Sequence, residues 1–372
     1  TTDSLRRFMP VWENGIYAAP CHGACPSGIP VQKRWQLIRE GRMDEAVDLA
    51  LAHTPFPATV CGYLCPNHCM EACTRQGALM IPVDVTRLGK ASIEARLPEL
   101  PPETGKKIAV IGAGPAGLSI AWQLRRKGHT PIIYDRAEKI GGKLSAVIPE
   151  SRIPPEVMAA ELERIKKIIT HVNLGWRLAE KDLVRMQNEF DFIVIAVGAQ
   201  NSRTLPLPGE GRLISALDFL RASKTDSAGP GCCVVIIGAG NVGCDAASEA
   251  FRLGAKQVTL IDVQEPASSG KERRDAEDAG ATFKWPCFTK KISEQGVVLE
   301  SGETLPADTV IVSIGDAPDL DFLPPEVERD HGFIKVNSHG QTSVQRIFAI
   351  GDAVKPGLLT EAIGSGSKAA DA

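Results

Sequence analysis

Two stretches of this chain repeat one grammar. "KIAVIGAGPAGLSIAWQLRRKGHTPIIYD" (107–135) and "CCVVIIGAGNVGCDAASEAFRLGAKQVTLID" (232–262) each read as an apolar strand, a glycine-rich turn, a helix stopped by a glycine (Gly128, Gly254), and a second strand ending in aspartate. Strands joined in parallel through a helix admit few architectures. Two such units about 125 residues apart imply an α/β chain with two Rossmann-like dinucleotide-binding domains, or an old duplication of one.

Within each unit the glycines have separate jobs. In the first, G-x-G-x-x-G runs from Gly112 through Ala113, Gly114, Pro115 and Ala116 to Gly117. The first glycine permits the tight turn, the second lets backbone N–H groups approach a pyrophosphate, and the third lets helix and strand pack closely. The helix N-terminus then faces the phosphates. Asp135, 23 residues after Gly112, is placed to accept hydrogen bonds from ribose hydroxyls. In the second copy the positions are Gly238, Gly240 and Gly243, with Asn241 and Val242 entering the helix and Asp262 as the acid. A glycine-rich helix entry alone also occurs in plain packing turns. Here each copy has its strand, its helix and its terminal acid, which favours nucleotide binding. Two dinucleotide sites in one chain imply two cofactors exchanging a hydride. A carboxylate at Asp262 bonds a free 2′-hydroxyl and repels a 2′-phosphate, so NAD(H) is expected over NADP(H). "GKERRDAE" (270–277) pulls the other way if Lys271, Arg273 and Arg274 meet a phosphate; otherwise it is a solvated helix start.

Ahead of these units the texture differs. Of ten cysteines, six fall by residue 73: Cys21, Cys25, and then Cys61, Cys65, Cys69 and Cys73 in "PATVCGYLCPNHCMEAC" (57–73). A net charge of −3 gives no reason to expect nucleic acid or an anionic membrane as partner. No apolar run reaches the roughly 18 residues of a membrane span, and "TTDSLRRFMPVW" lacks the layout of a secretory signal. A cytoplasmic, reducing location is expected, where disulfides are disfavoured, and the clustering argues for metal. Thiolates suit iron–sulfur clusters and zinc alike. With Pro66 opening a helix, Cys65, Cys69 and Cys73 are expected to share one face, with Cys21 and Cys25 brought in by the preceding loop. His22 and His68 are read as exposed loop residues, with substitute ligation as the alternative. Cys232 and Cys233 are expected to open a buried strand and point apart, Cys244 to pack in a helix, and Cys287 in core; all four are read as structural.

Organisation follows from these textures. "IPVQKRWQLIREGRMDEAVDLALAH" (29–53) reads as two helices broken at Gly41, and "LPELPPETGKK" (97–107) as an exposed linker. The expected division is 1–97 helical and cysteine-rich, 98–106 linker, 107–204 first dinucleotide domain, 205–316 second, and 317–372 a return to the first.

Taken in order, "CHGACPSGIP", "FPATVCGYLCPNHCMEAC", "IPVDVTRLGK", the first fingerprint, "GGKL…IPESRIPPEV", the second fingerprint and the late Gly-Asp segment form a series. It resembles, nearly end to end, the small (beta) subunit of glutamate synthase and its relatives, including the electron-input part of dihydropyrimidine dehydrogenase and the flavin subunits of transhydrogenase and redox complexes. The resemblance implies the two-dinucleotide flavoprotein fold behind a small helical iron–sulfur type domain. It places FAD on the first unit, reached also by Gly142 and Lys143 of "EKIGGKL" and by Gly351, Asp352, Thr360 and Ala362 near the end, whose helix would point its N-terminus at the flavin ring. The nicotinamide cofactor falls to the second unit. The resemblance further implies Cys21 and Cys73 as ligands of an outer cluster and Cys25, Cys65 and Cys69 as ligands of an inner one. Two departures stand out. Relatives carry C-x-x-C where this chain has "ENGI" (13–16), and their Glu or Gln ligand falls on Gly89, which cannot ligate. Cys61 matches a position that is not usually a ligand. Six cysteines cannot complete two cages; the expectation is one 4Fe–4S cluster, with zinc and a metal-free scaffold as alternatives.

The sequence thus reads as a cytoplasmic FAD-containing electron-transfer subunit that exchanges a hydride with NAD(H) and passes single electrons to or from a partner redox subunit, itself iron–sulfur or metal-containing, in a hetero-oligomer. The flavin carries that chemistry, so no protein acid or base is named as catalytic. Three alternatives accompany it: a glutamate synthase small subunit using NADPH, a thioredoxin-reductase-like disulfide reductase, and a non-catalytic assembly subunit with structural FAD. The second is disfavoured because no redox C-x-x-C lies beside either fingerprint. The chain ends in "LLTEAIGSGSKAADA", inside an expected helix, which leaves room for more chain beyond it.

Overall fold

The computed structural model describes residues 19–75, 80–225, 227 and 229–372; the "ENGI" stretch lies outside them. The cysteine-rich segment is helical. α1 (Val31–Arg39) and α2 (Met43–Asp48) are separated around Gly41, and α2 runs on into a 3₁₀ turn, Leu49–Ala52. A π-helix, Pro57–Leu64, follows, then a four-residue helix, His68–Glu71, and α3 (Val85–Ala91).

The single helical face expected for Cys65, Cys69 and Cys73 does not form. A proline disfavours the α conformation in the residue before it, and Cys65, ahead of Pro66, is extended (φ −69°, ψ 137°). Asn67 then takes a left-handed turn (φ 67°, ψ 48°). Of the three cysteines only Cys69 lies in the short helix. Beyond it no regular element occupies residues 95–106, as the proline content of the linker leads one to expect.

From Lys107 the chain is α/β. The first unit comprises β1 (Lys107–Ile111), α4 (Pro115–Arg126), β2 (Thr130–Tyr134), α5 (Pro155–Ile168), β3 (Val172–Asn173) and β4 (Phe192–Ile195). The second comprises β5 (Leu213–Ser215), β6 (Cys233–Ile237), α6 (Asn241–Arg252), β7 (Gln257–Ile261), α7 (Gly270–Asp278), β8 (Thr282–Lys284) and β9 (Thr309–Val312). The chain closes with β10 (Ile347–Ala349) and α8 (Leu359–Asp371). Each unit carries a five-stranded parallel sheet, ordered β10-β4-β1-β2-β3 and β5-β9-β6-β7-β8. The last four positions repeat; only the source of the first edge strand differs. Apolar on both faces, β1 and β6 are buried from Ile108 to Ile111 and from Val234 to Ile237, as helix-covered parallel strands are. Cys232 corrects one expectation: it is exposed and precedes β6, its N–H and that of Cys233 both donating to Asp308 Oδ2. Cys244 is buried and Cys287 half-buried.

The fingerprint turns are fixed sterically. Gly112 and Gly238 have φ of 115° and 104°, and a Cβ on either would collide with a carbonyl oxygen, of Ala196 or Ser313 respectively. α4 is buried continuously from Ala116 to Leu124 because three layers converge on it. The Trp122 indole N–H donates to Leu51 O at 2.8 Å, in the cysteine-rich segment, and Ser119 Oγ donates to Ile363 O at 2.8 Å, on α8. From α5, buried Glu161 accepts the N–H groups of Ala58 and Thr59, both at 2.8 Å. These are unpaired donors at the start of the π-helix, and such groups need a partner when buried.

Candidate functional site

A cavity of about 990 Å³ lies between the two sheets' helix entries. From the first unit, Gly112, Gly114, Pro115 and Ala116 line it, with Asp135, Gly142 and Lys143; from the chain's end come Asp352, Thr360 and Ala362; from the second unit come Asn241 and Val242. Ala113, Gly117 and Gly351 serve behind the wall. The Ala113 N–H donates to Asp135 Oδ2, a Cβ on Gly117 would strike Gly112 O, and one on Gly351 would lie 2.9 Å from Ala116 Cβ. Gly238, Gly240, Gly243 and Asp262 stand outside this cavity's lining. Asp262 accepts from the Ala239 N–H at 2.9 Å and the Val263 N–H at 2.8 Å, just as Asp135 accepts from Ala113 and, at 2.7 Å, Ala137. In both units the terminal acid tethers its own glycine loop.

Three features of the cavity and of the two glycine loops suit a pair of dinucleotides. Among the described residues a Cβ on Gly114 finds its nearest atom at 4.0 Å and one on Gly240 finds nothing within 4 Å, so both second glycines leave open space at a helix N-terminus. Thr360 Oγ1, 4% exposed as a residue, has no hydrogen-bond partner among the described residues. Lys143 Nζ lies 2.8 Å from Asp316 and 4.0 Å from Asp352; burial raises the Asp352 carboxyl above the usual carboxylate range, and Lys143 opposes that rise.

The second unit is pinned to the first across the cavity. Arg152 pairs with Asp245 on α6 at 2.9 Å and with Glu272 on α7 at 2.7 Å, and Ser151 Oγ donates to Glu249 at 3.0 Å. Burial lifts the Asp245 carboxyl to about 7, against the pull of Arg152. Sequence reading missed this network. Arg152 lies in the quoted "IPESRIPPEV", but nothing local marks Asp245 or Glu272 as its partners.

A second, smaller cavity lies behind the first. Cys25, Cys61, Cys65 and Cys69 line it, with Arg34, Asn67 and His68, and Thr360 lines both cavities. Leu64 and Pro66 face the large cavity while Cys65, between them, faces the small one. The wall between the two is therefore one residue thick at Cys65 and at Thr360. Of the five expected ligands, Cys25, Cys65 and Cys69 come together here. Cys21 and Cys73 stand outside the lining, electrostatically close to one another. Cys61, set aside on sequence, is inside. Burial pushes the Cys69 thiol up to about 12 and raises those of Cys61 and Cys65, so these thiols stay protonated unless a metal claims them. Arg34, 3% exposed, sets a buried positive charge against them, held by Ala46 O at 2.7 Å and Ser92 Oγ at 2.7 Å. Among the described residues no three Cys, His, Asp or Glu side chains converge on a single ion. In a 4Fe–4S cage each thiolate holds a different iron, so the cluster does not require that convergence.

Residues 106–366 match the family described as pyridine nucleotide-disulphide oxidoreductase, and residues 15–98 match dihydropyrimidine dehydrogenase domain II, 4Fe-4S cluster. The chain is 31% identical to the NADP(+)-dependent formate dehydrogenase subunit beta of Moorella thermoacetica, over 95% of this chain and 59% of that protein. To the NADPH-Fe(3+) oxidoreductase subunit beta of Geobacter sulfurreducens it is 30% identical, over 84% and 53%. It thus spans little more than half the length of these two relatives. The NAD-dependent dihydropyrimidine dehydrogenase subunit PreT of Escherichia coli is 30% identical over 95% of this chain and 90% of its own length. Among solved structures, T. acidophilum thioredoxin reductase superposes with a TM-score of 0.56 at 21% identity, covering 71% of this chain and 97% of that one, a likeness of fold.

Proposed function

Since the chain belongs to the pyridine nucleotide-disulphide oxidoreductase family, joined to an N-terminal helical cysteine-rich segment, we propose that it holds FAD on its first glycine loop and a nicotinamide cofactor on its second. It exchanges a hydride between them and passes electrons singly, through a cluster in the cysteine-rich segment, to or from another redox subunit. On this reading 107–204 and 317–372 form the FAD domain and 205–316 the nicotinamide domain.

One observation carries the proposal: helix entries from both units, Pro115–Ala116 and Asn241–Val242, line the same cavity. Bound flavin accepts two electrons as hydride and releases them one at a time. The chain's part is to bind, orient and insulate. The α4 and α8 N-termini offer partial positive charge, the Arg152 pairs fix the second unit against the first, and the wall at Cys65 and Thr360 keeps the two cavities adjacent. NAD(H) is favoured by Asp262 and by the engagement of Arg273, which pairs with Glu277 at 2.8 Å and lies 4.4 Å over the Phe283 ring. The relatives' names divide on this point, NADP(H) in two and NAD in PreT. A hetero-oligomeric partner is supported by the relatives being named as subunits. Among the described residues no helix is long and apolar enough to cross a membrane, and we place the protein in the cytoplasm.

Anaerobic stopped-flow mixing with NADH or NADPH tests this. Bleaching of the flavin, faster with NADH, is the expected result; a flavin that neither nucleotide bleaches would instead make the chain an assembly subunit with structural FAD.

A further inference from the structure

We propose that Cys61 is the fourth ligand of the cluster, completing a cage with Cys25, Cys65 and Cys69; the inference rests on the cluster in the proposed function. The position on which the resemblance places the relatives' Glu or Gln ligand is closed. Gly89, on α3, packs so near the π-helix that a Cβ there would lie 2.5 Å from Gly62 N, 2.7 Å from the Cys61 carbonyl carbon and 2.9 Å from Cys61 Cβ. No side chain fits at Gly89, and what occupies that contact is Cys61 itself. The same close approach that removes one ligand therefore seats another beside the three remaining thiols.

The π-helix helps. Its closing bond, Cys65 N–H to Val60 O at 2.8 Å, spans five residues, so one turn takes a little over four. Cys61 and Cys65 thus stand about one turn apart and reach one cavity, which Cys25 and Cys69 enter from the preceding loop and the following short helix. Cys61 interacts electrostatically with each of the other three thiols and with Arg34. His68 is the rival, since it too lines the cavity. Its Nδ1, however, faces Glu71 at 3.6 Å on a side chain 31% exposed, and thiolate is the commoner cluster ligand. On insertion of a preassembled 4Fe–4S cluster, with no change in iron oxidation state, each of the four thiols would displace a ligand of the carrier and release its proton to solvent as its Sγ–Fe bond forms. The buried guanidinium of Arg34 offsets part of the negative charge so created.

The test is iron and acid-labile sulfide per FAD, with EPR after dithionite, on anaerobically prepared full chain. Wild type, Cys61→Ala, Cys61→Ser, His68→Ala and Cys73→Ser are compared, with FAD content and thermal midpoint reporting folding. Wild type should hold about four iron and four sulfide. Cys61→Ala should fall to three iron or fewer while keeping FAD, and Cys61→Ser, whose alkoxide can still ligate, should keep the cluster with an altered EPR spectrum. His68→Ala and Cys73→Ser should match wild type. A wild-type cluster and spectrum in Cys61→Ala overturns the assignment, as does iron loss in His68→Ala or Cys73→Ser with Cys61→Ala intact. If Cys61→Ala loses FAD and unfolds, the spectrum of Cys61→Ser decides: one identical to wild type overturns the assignment. Wild type without iron, but with flavin that NADH bleaches, sinks the ligand assignment and the cluster while leaving hydride exchange standing.

Discussion

At the first glycine loop, a Cβ on Gly114 would lie 4.0 Å from the Cα of Gly142, and the Gly141 N–H donates to Ala113 O at 2.8 Å, so residues 140–143 roof the turn. At the second, nothing lies within 4 Å of a Cβ on Gly240, Val242 is 39% exposed, and a neighbouring segment meets the helix entry through the Ser269 N–H, which donates to Asn241 Oδ1 at 3.0 Å. Two loops with one backbone course thus differ in cover. A roofed loop suits a cofactor that stays through many turnovers, and an open loop suits one that enters and leaves. On the proposed reading, the roofed loop is that of a resident flavin and the open one that of an exchanging nicotinamide.

The paired second glycines break or sharpen this comparison most strongly. Neither Gly114→Ala nor Gly240→Ala meets a steric obstacle among the described residues, so each should change stability by less than about 0.5 kcal/mol. On the proposed reading each methyl would stand where a pyrophosphate approaches. Gly114→Ala should purify folded but largely free of FAD, an affinity loss of about a hundredfold or more (about 2.7 kcal/mol), read from flavin absorbance per chain. Gly240→Ala should keep its FAD and weaken NADH binding by about tenfold, read by titration. If Gly240→Ala loses the flavin and Gly114→Ala keeps it, the two assignments are reversed.

A smaller effect tests the second loop's selectivity. Asp262→Asn retains an acceptor for the Ala239 N–H and removes the charge that would repel a 2′-phosphate. The ratio of NADH to NADPH in flavin reduction should fall by several-fold, up to about tenfold (about 1.4 kcal/mol). An unchanged ratio would mean that the acid only tethers its loop and that Lys271 or Arg274 governs the choice.

The same contrast explains what the sequence could convey. Glycine loops, the break near Gly41 and the proline-rich linker are local matters, written in spacing and residue type, and they appear where spacing places them. In the cysteine stretch a local rule reaches its limit. The helix expected to open at Pro66 begins only at His68, because proline holds Cys65 extended and a left-handed Asn67 redirects the chain. Cys61 is set aside by the resemblance alone, and nothing in its neighbourhood in sequence speaks for it. Its surroundings are made by α3 crossing at Gly89, a contact between residues far apart in sequence. Arg152 with Asp245, and Thr360 at both cavities, were hidden likewise: no period or spacing encodes which distant side chain will face them.

The two seams between the chain's parts offer a last and smallest test. The cysteine-rich segment meets the first unit through Glu161, and the second unit meets it through Asp245; burial lifts both carboxyls to about 7. In the unfolded chain they ionise near their ordinary values of about 4, so between about pH 4 and 7 the folded protein binds protons that the unfolded chain has released. Stability from each group is then full at acid pH and lost as pH rises through about 7, the reverse of a carboxylate depressed by a surface ion pair. The seams differ in support. Asp245 has Arg152 at 2.9 Å, whereas Glu161 has two backbone N–H donors and its Arg164 at 3.6 Å. Glu161→Gln keeps one acceptor oxygen and turns an N–H toward the other donor, costing about 1 kcal/mol at pH 5. It has no proton to lose, so its thermal midpoint should decline less than that of wild type from pH 5 to 8, and the two curves should converge. Parallel curves would show that Glu161 is ionised throughout, held so by the two N–H donors against the cost of burial.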